Sequence, residues 1–390
     1  LKKIKESQRQ LRILGYLKDV QMKTIPVPDA NNQVDLEYQI TEDRSAAANF
    51  SVGYGTAGPV VGVSVDQKNF LGTGRNVGAS FQQDRWAQGY SLNYFNPYFT
   101  PSGIGQGFGF YFQRTTPSRQ GVSRYATNTF GGENNYDIPF SDNSHFNVGV
   151  GYQQLDLTTI GQPAPSQLST FVAANGRVYR EARFTLGWNY NGYDQYPMPN
   201  KGIGQNAVVL FAAPGGTRGL SYYKVSYSGH LFLPLFKGFT LSAHTNLGYG
   251  SDYTGKNGLP FFENFYAGGL GTTGGLVRGY DIYSLGPKDS TGKPFGGNAL
   301  VSGNIGLILP YPLSRPTLRT TVFVDAGNVY YNSGPAAFGG TGSGPMRFST
   351  GVSVEWNAYL PITIAIAKAL NPQRGDAYSL IPQFTVGLSV

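Results

Sequence analysis

The run Phe184-Thr185-Leu186-Gly187-Trp188-Asn189-Tyr190-Asn191 alternates without a break. Phe184, Leu186, Trp188 and Tyr190 fall on one face of an extended chain, and Thr185, Gly187 and Asn189 on the other. Strand side chains alternate between faces, so this is a strand whose two faces meet different surroundings. Its second face is small and polar, not charged. That composition suits a wall with lipid on one side and a crowded or wet lumen on the other. The pattern recurs at Ala48–Gly55, where Phe50, Val52 and Tyr54 oppose Asn49, Ser51 and Gly53. In Phe146–Gln153, Phe146, Val148, Val150 and Tyr152 oppose Asn147, Gly149, Gly151 and Gln153. It returns at Leu241–Tyr249, Phe348–Trp356 and Gln383–Val390.

About 16 such segments fit between Ala46 and Val390, an even number as in bacterial barrels. Their connections alternate in length. With Arg44 on the periplasmic side, the short links Asn69–Gly74, Asn96–Gly103, Leu235–Gly238, Tyr311–Thr317 and Asn357–Pro361 share that side. The long links Leu157–Glu181, Gly250–Asn298 and Gly327–Pro345 then lie outside. The expected fold is all-β: a transmembrane antiparallel β-barrel of about 16 strands over residues 46–390, with a long inward-folding loop over 251–297. A soluble sandwich of this length would usually be two domains, and no linker divides the chain. A porin shares the pattern.

Residues 1–45 read differently. Leu1, Ile4, Leu11 and Leu14 fall near helical spacing, and Gly15 is a helix stop. Two strand-like runs follow, Tyr16–Val27 and Val34–Glu42, joined by the turn residues Pro28-Asp29-Ala30-Asn31-Asn32. Helix–strand–strand is too little to bury a core, so this is expected to be the tail of a larger α+β module. The chain opens inside the helix-like run without an initiator Met, as a partial or processed chain does.

Composition agrees with a membrane wall. Of 390 residues, 54 are Gly, about twice the usual ~7%. Tyr (27) and Phe (25) are abundant, while charged residues are 13%, roughly half the usual share. The mean hydropathy of −0.25 is what an alternating wall gives, since half its residues face the lumen. No stretch is long and apolar enough for a spanning helix, so a membrane crossing must be a closed barrel. Cys is absent, which excludes disulfides and thiolate metal sites. The net charge is +8, yet basic residues cluster only at Lys2, Lys3, Lys5, Arg9 and Arg12, the solvated face of a helix. Nucleic acid is therefore not an expected partner.

Catalytic signals are few. His145, His230 and His244 are the three histidines, each within a strand-like run and without H-E-x-x-H spacing. Gly269, Gly271 and Gly274 match G-x-G-x-x-G in form but follow no strand and open no helix. Gly250–Lys256 resembles a P-loop, but Asn257 replaces the Mg²⁺-binding hydroxyl. The expectation is no enzyme, no cofactor and no metal.

The segment Gly250–Asn298 is the most informative, because long ordered loops are usually functional. It holds Pro260-Phe261-Phe262-Glu263-Asn264-Phe265-Tyr266-Ala267-Gly268-Gly269, then Val277-Arg278-Gly279-Tyr280. These runs resemble the sixth extracellular loop of the BamA family, marked by a Val-Arg-Gly-aromatic tetrapeptide. Asn69-Phe70-Leu71-Gly72-Thr73-Gly74, Asn96-Pro97-Tyr98-Phe99 and Phe323-Val324-Asp325-Ala326-Gly327-Asn328 are similar to the family's turns and late-strand motif. Residues 1–44 resemble the last polypeptide-transport-associated (POTRA) module from its second helix onward. The resemblance runs end to end, with four motifs in order.

The resemblance implies that the loop folds into the lumen and that Arg278 docks on the inner wall, with Asp325 as its partner. A partly desolvated guanidinium needs a charge-assisted, preferably bidentate acceptor. Family members often carry a second acid one strand earlier, where Gly306 aligns here, which leaves Asp325 as the single acidic anchor. The implied function is an outer-membrane protein assembly factor that folds and inserts barrel proteins through a lateral gate between its first and last strands. A two-partner-type secretion pore, a TamA-like translocation factor and a passive porin are the alternatives. The gate strands are expected at about Ala47–Gly55 and Pro382–Val390, with Phe50, Val52, Tyr54, Pro382, Phe384, Gly387 and Val390 at the seam. Pro382 cannot donate to the ladder and Gly387 permits a bend, so the seam should hold few hydrogen bonds and leave an edge able to template a client strand. The family usually ends on an aromatic residue; this chain ends on Val390. Implied partners are unfolded outer-membrane proteins, outer-membrane lipids and, through the POTRA modules, accessory lipoproteins. The implied location is the outer membrane of a Gram-negative bacterium, with the POTRA part in the periplasm.

Overall fold

A computed structural model describes residues 17–27, 34–42, 45–56, 58–161, 163–216, 219–270, 274–357, 361–378, 380 and 382–387. The helix expected over Leu1–Leu14, the turn Pro28–Asn32, Gly271 and Val390 lie outside the described residues. β1 (Leu17–Pro26) and β2 (Val34–Glu42) pair antiparallel as a separate two-stranded sheet.

Among the described residues, sixteen strands close into an antiparallel barrel. They are β3 (Ala46–Gly55), β4 (Gly58–Gln67), β5 (Asn76–Gln83), β6 (Ala87–Asn96), β7 (Gly105–Thr115), β8 (Tyr125–Ser141), β9 (Ser144–Thr159) and β10 (Val178–Asn191). Then come β11 (Gly202–Pro214), β12 (Tyr222–Pro234), β13 (Thr240–Ser251), β14 (Ala299–Ile308), β15 (Leu318–Tyr330), β16 (Arg347–Asn357), β17 (Pro361–Ala369) and β18 (Gln383–Val386). Each pairs with its sequence neighbours, and β18 returns to β3. The period of two sets the walls. On the directly paired strands β14 and β15, Val301, Ile305, Val322 and Val324 face outward, while Ser302, Phe323 and Asp325 are buried inside.

Ile305 sits mid-strand and is 62% exposed. Ile305→Arg would put a guanidinium on the lipid face, at a cost of about 2–4 kcal/mol near the midplane. Urea unfolding from vesicles should register that loss. An unchanged midpoint would mean that this face does not meet hydrocarbon.

Several boundaries differ from the sequence reading at the outer end. β9 and β10 extend to Thr159 and from Val178, shortening the link expected over Leu157–Glu181, and the link contains a helix, α1 (Ser166–Asn175). The inner face of the wall turns apolar here: Leu155, Tyr179, Leu210, Ala212 and Tyr222 are all buried. They pack with Leu168 and Phe171 of α1 and with Leu259, Phe261 and Phe295 of the long loop. Phe171 is the hub, edge-on to Tyr179, Phe261, Phe262 and Phe338 at 5.3–6.3 Å between centroids, the arrangement ring quadrupoles favour. A hydrophobic core thus fills the outer mouth of a polar-walled barrel. The long loop itself is 252–298, one residue later than expected at each end, because β13 runs to Ser251 and β14 begins at Ala299.

Candidate functional site

The long loop enters the lumen and is held on two walls. On the first wall, Glu263 is the anchor. Its carboxylate accepts hydrogen bonds from Lys224 Nζ (3.2 Å) and the Tyr222 hydroxyl (3.2 Å), and Arg183 Nη1 stands 3.6 Å away. Lys224 also donates to the Glu263 carbonyl oxygen at 2.8 Å and lies over the Phe265 ring. Tyr222 donates to Glu181 as well, and Gln153 donates to the same oxygen. The network therefore ties the loop to β9, β10 and β12. Sequence reasoning missed it: the strand partners lie about 40 to 110 residues away, and no local signal joins them. Glu263→Gln keeps the shape and removes the charge, for an expected loss of about 1.5–3 kcal/mol. Limited proteolysis within 252–298 should accelerate; an unchanged cleavage rate would make the anchor dispensable.

On the second wall the tetrapeptide Val277–Tyr280 meets successive strands. Val277 is fully buried with Leu300 and Val329 and lies over Gly327, where a Cβ would come within 2.6 Å of it. Arg278 forms a fork onto Asp325 of β15: Nε to Oδ2 at 2.9 Å and Nη2 to Oδ1 at 2.8 Å. Its backbone N–H also donates to Oδ2, at 2.8 Å. Nη1 donates to Ser353 Oγ of β16 at 3.2 Å, and the guanidinium stacks 3.2 Å from the centroid of Phe323. Asn304, opposite Asp325 on β14, donates to Oδ1 as well. The side chains are 7% and 0% exposed. Burying two ions is costly, and this geometry meets the cost with a bidentate, charge-assisted pair. Gly306 faces Phe323 across the ladder. Among the described residues the ring and the Ser353 hydroxyl, not a second acid, complete the surroundings of Arg278.

Gly279 has φ +84 and lies against β17, where a Cβ would meet Ala367 at 3.2 Å. Only glycine combines that left-handed backbone with so close an approach. Tyr280 donates from its hydroxyl to the Phe348 carbonyl at 3.2 Å, and its own carbonyl accepts from Gln383 Nε2 of β18 at 2.7 Å.

The first and last strands meet at a short seam. Thr385 pairs with Gly55 and Val386 with Tyr54, and among the described residues the ladder has no further pair. Beyond it, Thr56 N–H donates to Phe384 O at 2.8 Å and Phe384 N–H to Thr56 Oγ1 at 2.9 Å. Phe384 packs on Tyr54 with centroids 6.0 Å apart. The expected strand Pro382–Val390 needs correction. Among the described residues it covers only Gln383–Val386, with Pro382 exposed before it and Gly387 after it. Gly387 turns to φ +87, and its N–H goes to Pro361 O of β17 at 2.9 Å. Phe50 (79% exposed) and Val52 face outward on β3, beyond that ladder.

The chain matches the Omp85 superfamily domain over residues 69–390. It belongs to the Omp85 superfamily. This Omp85 barrel is a homologue of the outer membrane protein assembly factor BamA of Neisseria meningitidis serogroup B, at 30% identity over 99% of the chain and 52% of that protein. BamA of Nitratidesulfovibrio vulgaris is 23% identical over 91% of the chain and 43% of its own length. The chain thus spans about half the length of these relatives. The crystal structure of Haemophilus ducreyi BamA lacking POTRA domains 1–3 superposes with a TM-score of 0.83 at 25% identity, covering 98% of this chain and 77% of that one. CdiB from Acinetobacter baumannii shares the fold alone, with a TM-score of 0.60 at 13% identity over 96% of this chain and 66% of that one. Fold and relatives together support an outer-membrane location in a Gram-negative bacterium.

Proposed function

We propose that this Omp85 barrel folds and inserts outer-membrane proteins through a lateral gate at the β3–β18 seam, and that it is not an enzyme. The seam carries the reading. Every other neighbouring pair in the barrel has a longer described ladder than the two positions there. A seam held by two ladder pairs among the described residues has fewer hydrogen bonds to break than any other in the barrel, and an edge freed there would template another strand. In a protein that must accept client strands, the edge is the working surface, by β-strand addition. Ladder exchange of this kind consumes no nucleotide. Residues 1–45 are proposed as the periplasmic end of a POTRA module, through which accessory lipoproteins would engage, and unfolded barrel proteins and outer-membrane lipids are the other partners.

The test is reconstitution into liposomes, following the folding rate of an unfolded outer-membrane client with and without the protein. Acceleration that is lost in Arg278→Ala is the expected result. No acceleration, with selective solute flux instead, would overturn the reading in favour of a secretion pore or porin.

A further inference from the structure

Gln383 occupies an unusual place. It is the first residue of β18, it points into the lumen, and it is buried to 5% exposure. Its side-chain amide reads the backbone of the loop at both ends: Nε2 donates to the Tyr280 carbonyl at 2.7 Å, and Oε1 accepts from Gly279 N–H at 3.4 Å. Around it the loop makes further backbone links to the segment that leads into β18. Tyr280 bridges Tyr378, and Asp281 N–H donates to Ala377 O at 2.9 Å. Among the described residues the ladders of β18 are short, reaching four residues of β17 and two of β3.

We propose that Gln383 is the positioning residue that couples the docked loop to the gate strand. Arg278 fixes the tetrapeptide on β15 and β16, and Gln383 carries that fixed position one residue further, onto β18. With the loop docked, β18 is held from inside the barrel, and the seam is registered by the lumen as well as by β3. With the amide removed, β18 loses its direct side-chain tie to the tetrapeptide and keeps its ladders and the Thr56–Phe384 bonds. The chemistry is specific to a carboxamide. A carboxylate of the same shape accepts from Gly279 N–H but presents an acceptor to the Tyr280 carbonyl. The inference rests on the assembly reading for its purpose, but not for its geometry.

The test uses spin labels on Tyr54→Cys and Val386→Cys, which oppose each other across the seam and face lipid, in the intact protein in liposomes without client. The absence of native Cys makes the labelling clean. Gln383→Glu should move a population of the label distances outward by about 5 Å or more, the spacing of one strand. Arg278→Ala should do the same, and the two together should add nothing, because coupled residues are not additive. Gln383→Met, of similar length but without the amide, repeats the measurement if the Glu variant does not give a heat-resistant barrel. Unchanged seam distances in folded Gln383→Glu or Gln383→Met would overturn the proposal, as would full additivity with Arg278→Ala. Client folding is measured on the same samples. A shifted seam in a protein that never accelerates a client would sink the assembly reading and leave the coupling standing; an accelerating protein whose seam ignores Gln383 would do the reverse.

Discussion

Asp325→Asn should cost the barrel about 3–5 kcal/mol, the penalty for leaving one member of a buried ion pair without its counter-charge. The carboxylate is fully buried and accepts from Nε, Nη2 and the backbone N–H of Arg278 and from Asn304. The neutral amide presents one acceptor oxygen where there were two, and its NH₂ opposes donors. The guanidinium keeps that one oxygen and the Ser353 hydroxyl as side-chain acceptors, and is left against Phe323 without its counter-charge. Loss of the heat-resistant form on unheated gels and a lower urea midpoint are the readouts, and client folding should fall with them. Most of the cost is the orphaned charge. Combining Asp325→Leu with Arg278→Met should therefore recover part of the stability, yet not client folding, because the tetrapeptide is then no longer oriented. Full heat resistance and full activity in Asp325→Asn would remove the pair from any mechanism.

A disulfide between Tyr54→Cys and Val386→Cys should stop client insertion, and a reductant should restore it. The two residues are direct antiparallel partners, so their Cα atoms lie about 4.5–5.5 Å apart, inside the range of about 4.4–6.8 Å that a disulfide spans. Both side chains face away from the lumen, so the lock closes the seam without filling the interior. The oxidised protein should fall to the uncatalysed folding rate while the reduced protein matches its parent. A fully oxidised barrel that folds clients at the unlocked rate would show that the seam does not have to part.

The wall was legible in the sequence because its signal is local. Phe184, Leu186, Trp188 and Tyr190 state their face within eight residues, and summing such runs gives the sixteen-strand barrel. The parity of the links put the short and the long connections named above at opposite ends of the wall. The Arg278–Asp325 pair was readable only through resemblance, since nothing between residues 278 and 325 encodes their approach. What stayed hidden is non-local or atypical. α1 lies in a stretch, Ser166–Asn175, whose Leu168 and Phe171 share a helical face, but whose opposite face carries the uncharged Ser166, Ser169, Thr170 and Ala173 and contrasts with it only weakly. Glu263 reads as one acid in an aromatic run until Lys224 and Arg183 surround it. Gln383 reads as any lumen-facing polar residue, because its partners are backbone atoms and backbone leaves no mark in a sequence. Pro382 was placed inside the last strand and stands before it, as its missing N–H would favour.

The core around Phe171, Phe261 and Phe295 turns the barrel from a tube into a cup. A tube passes its contents from end to end. A cup with a closed base exchanges them at its rim or through a slit in its side. A chain that enters this lumen from the periplasmic rim meets a floor of packed aromatic rings. If the β3–β18 seam parts as proposed, the way onward leads neither outside nor back, but into the plane of the bilayer.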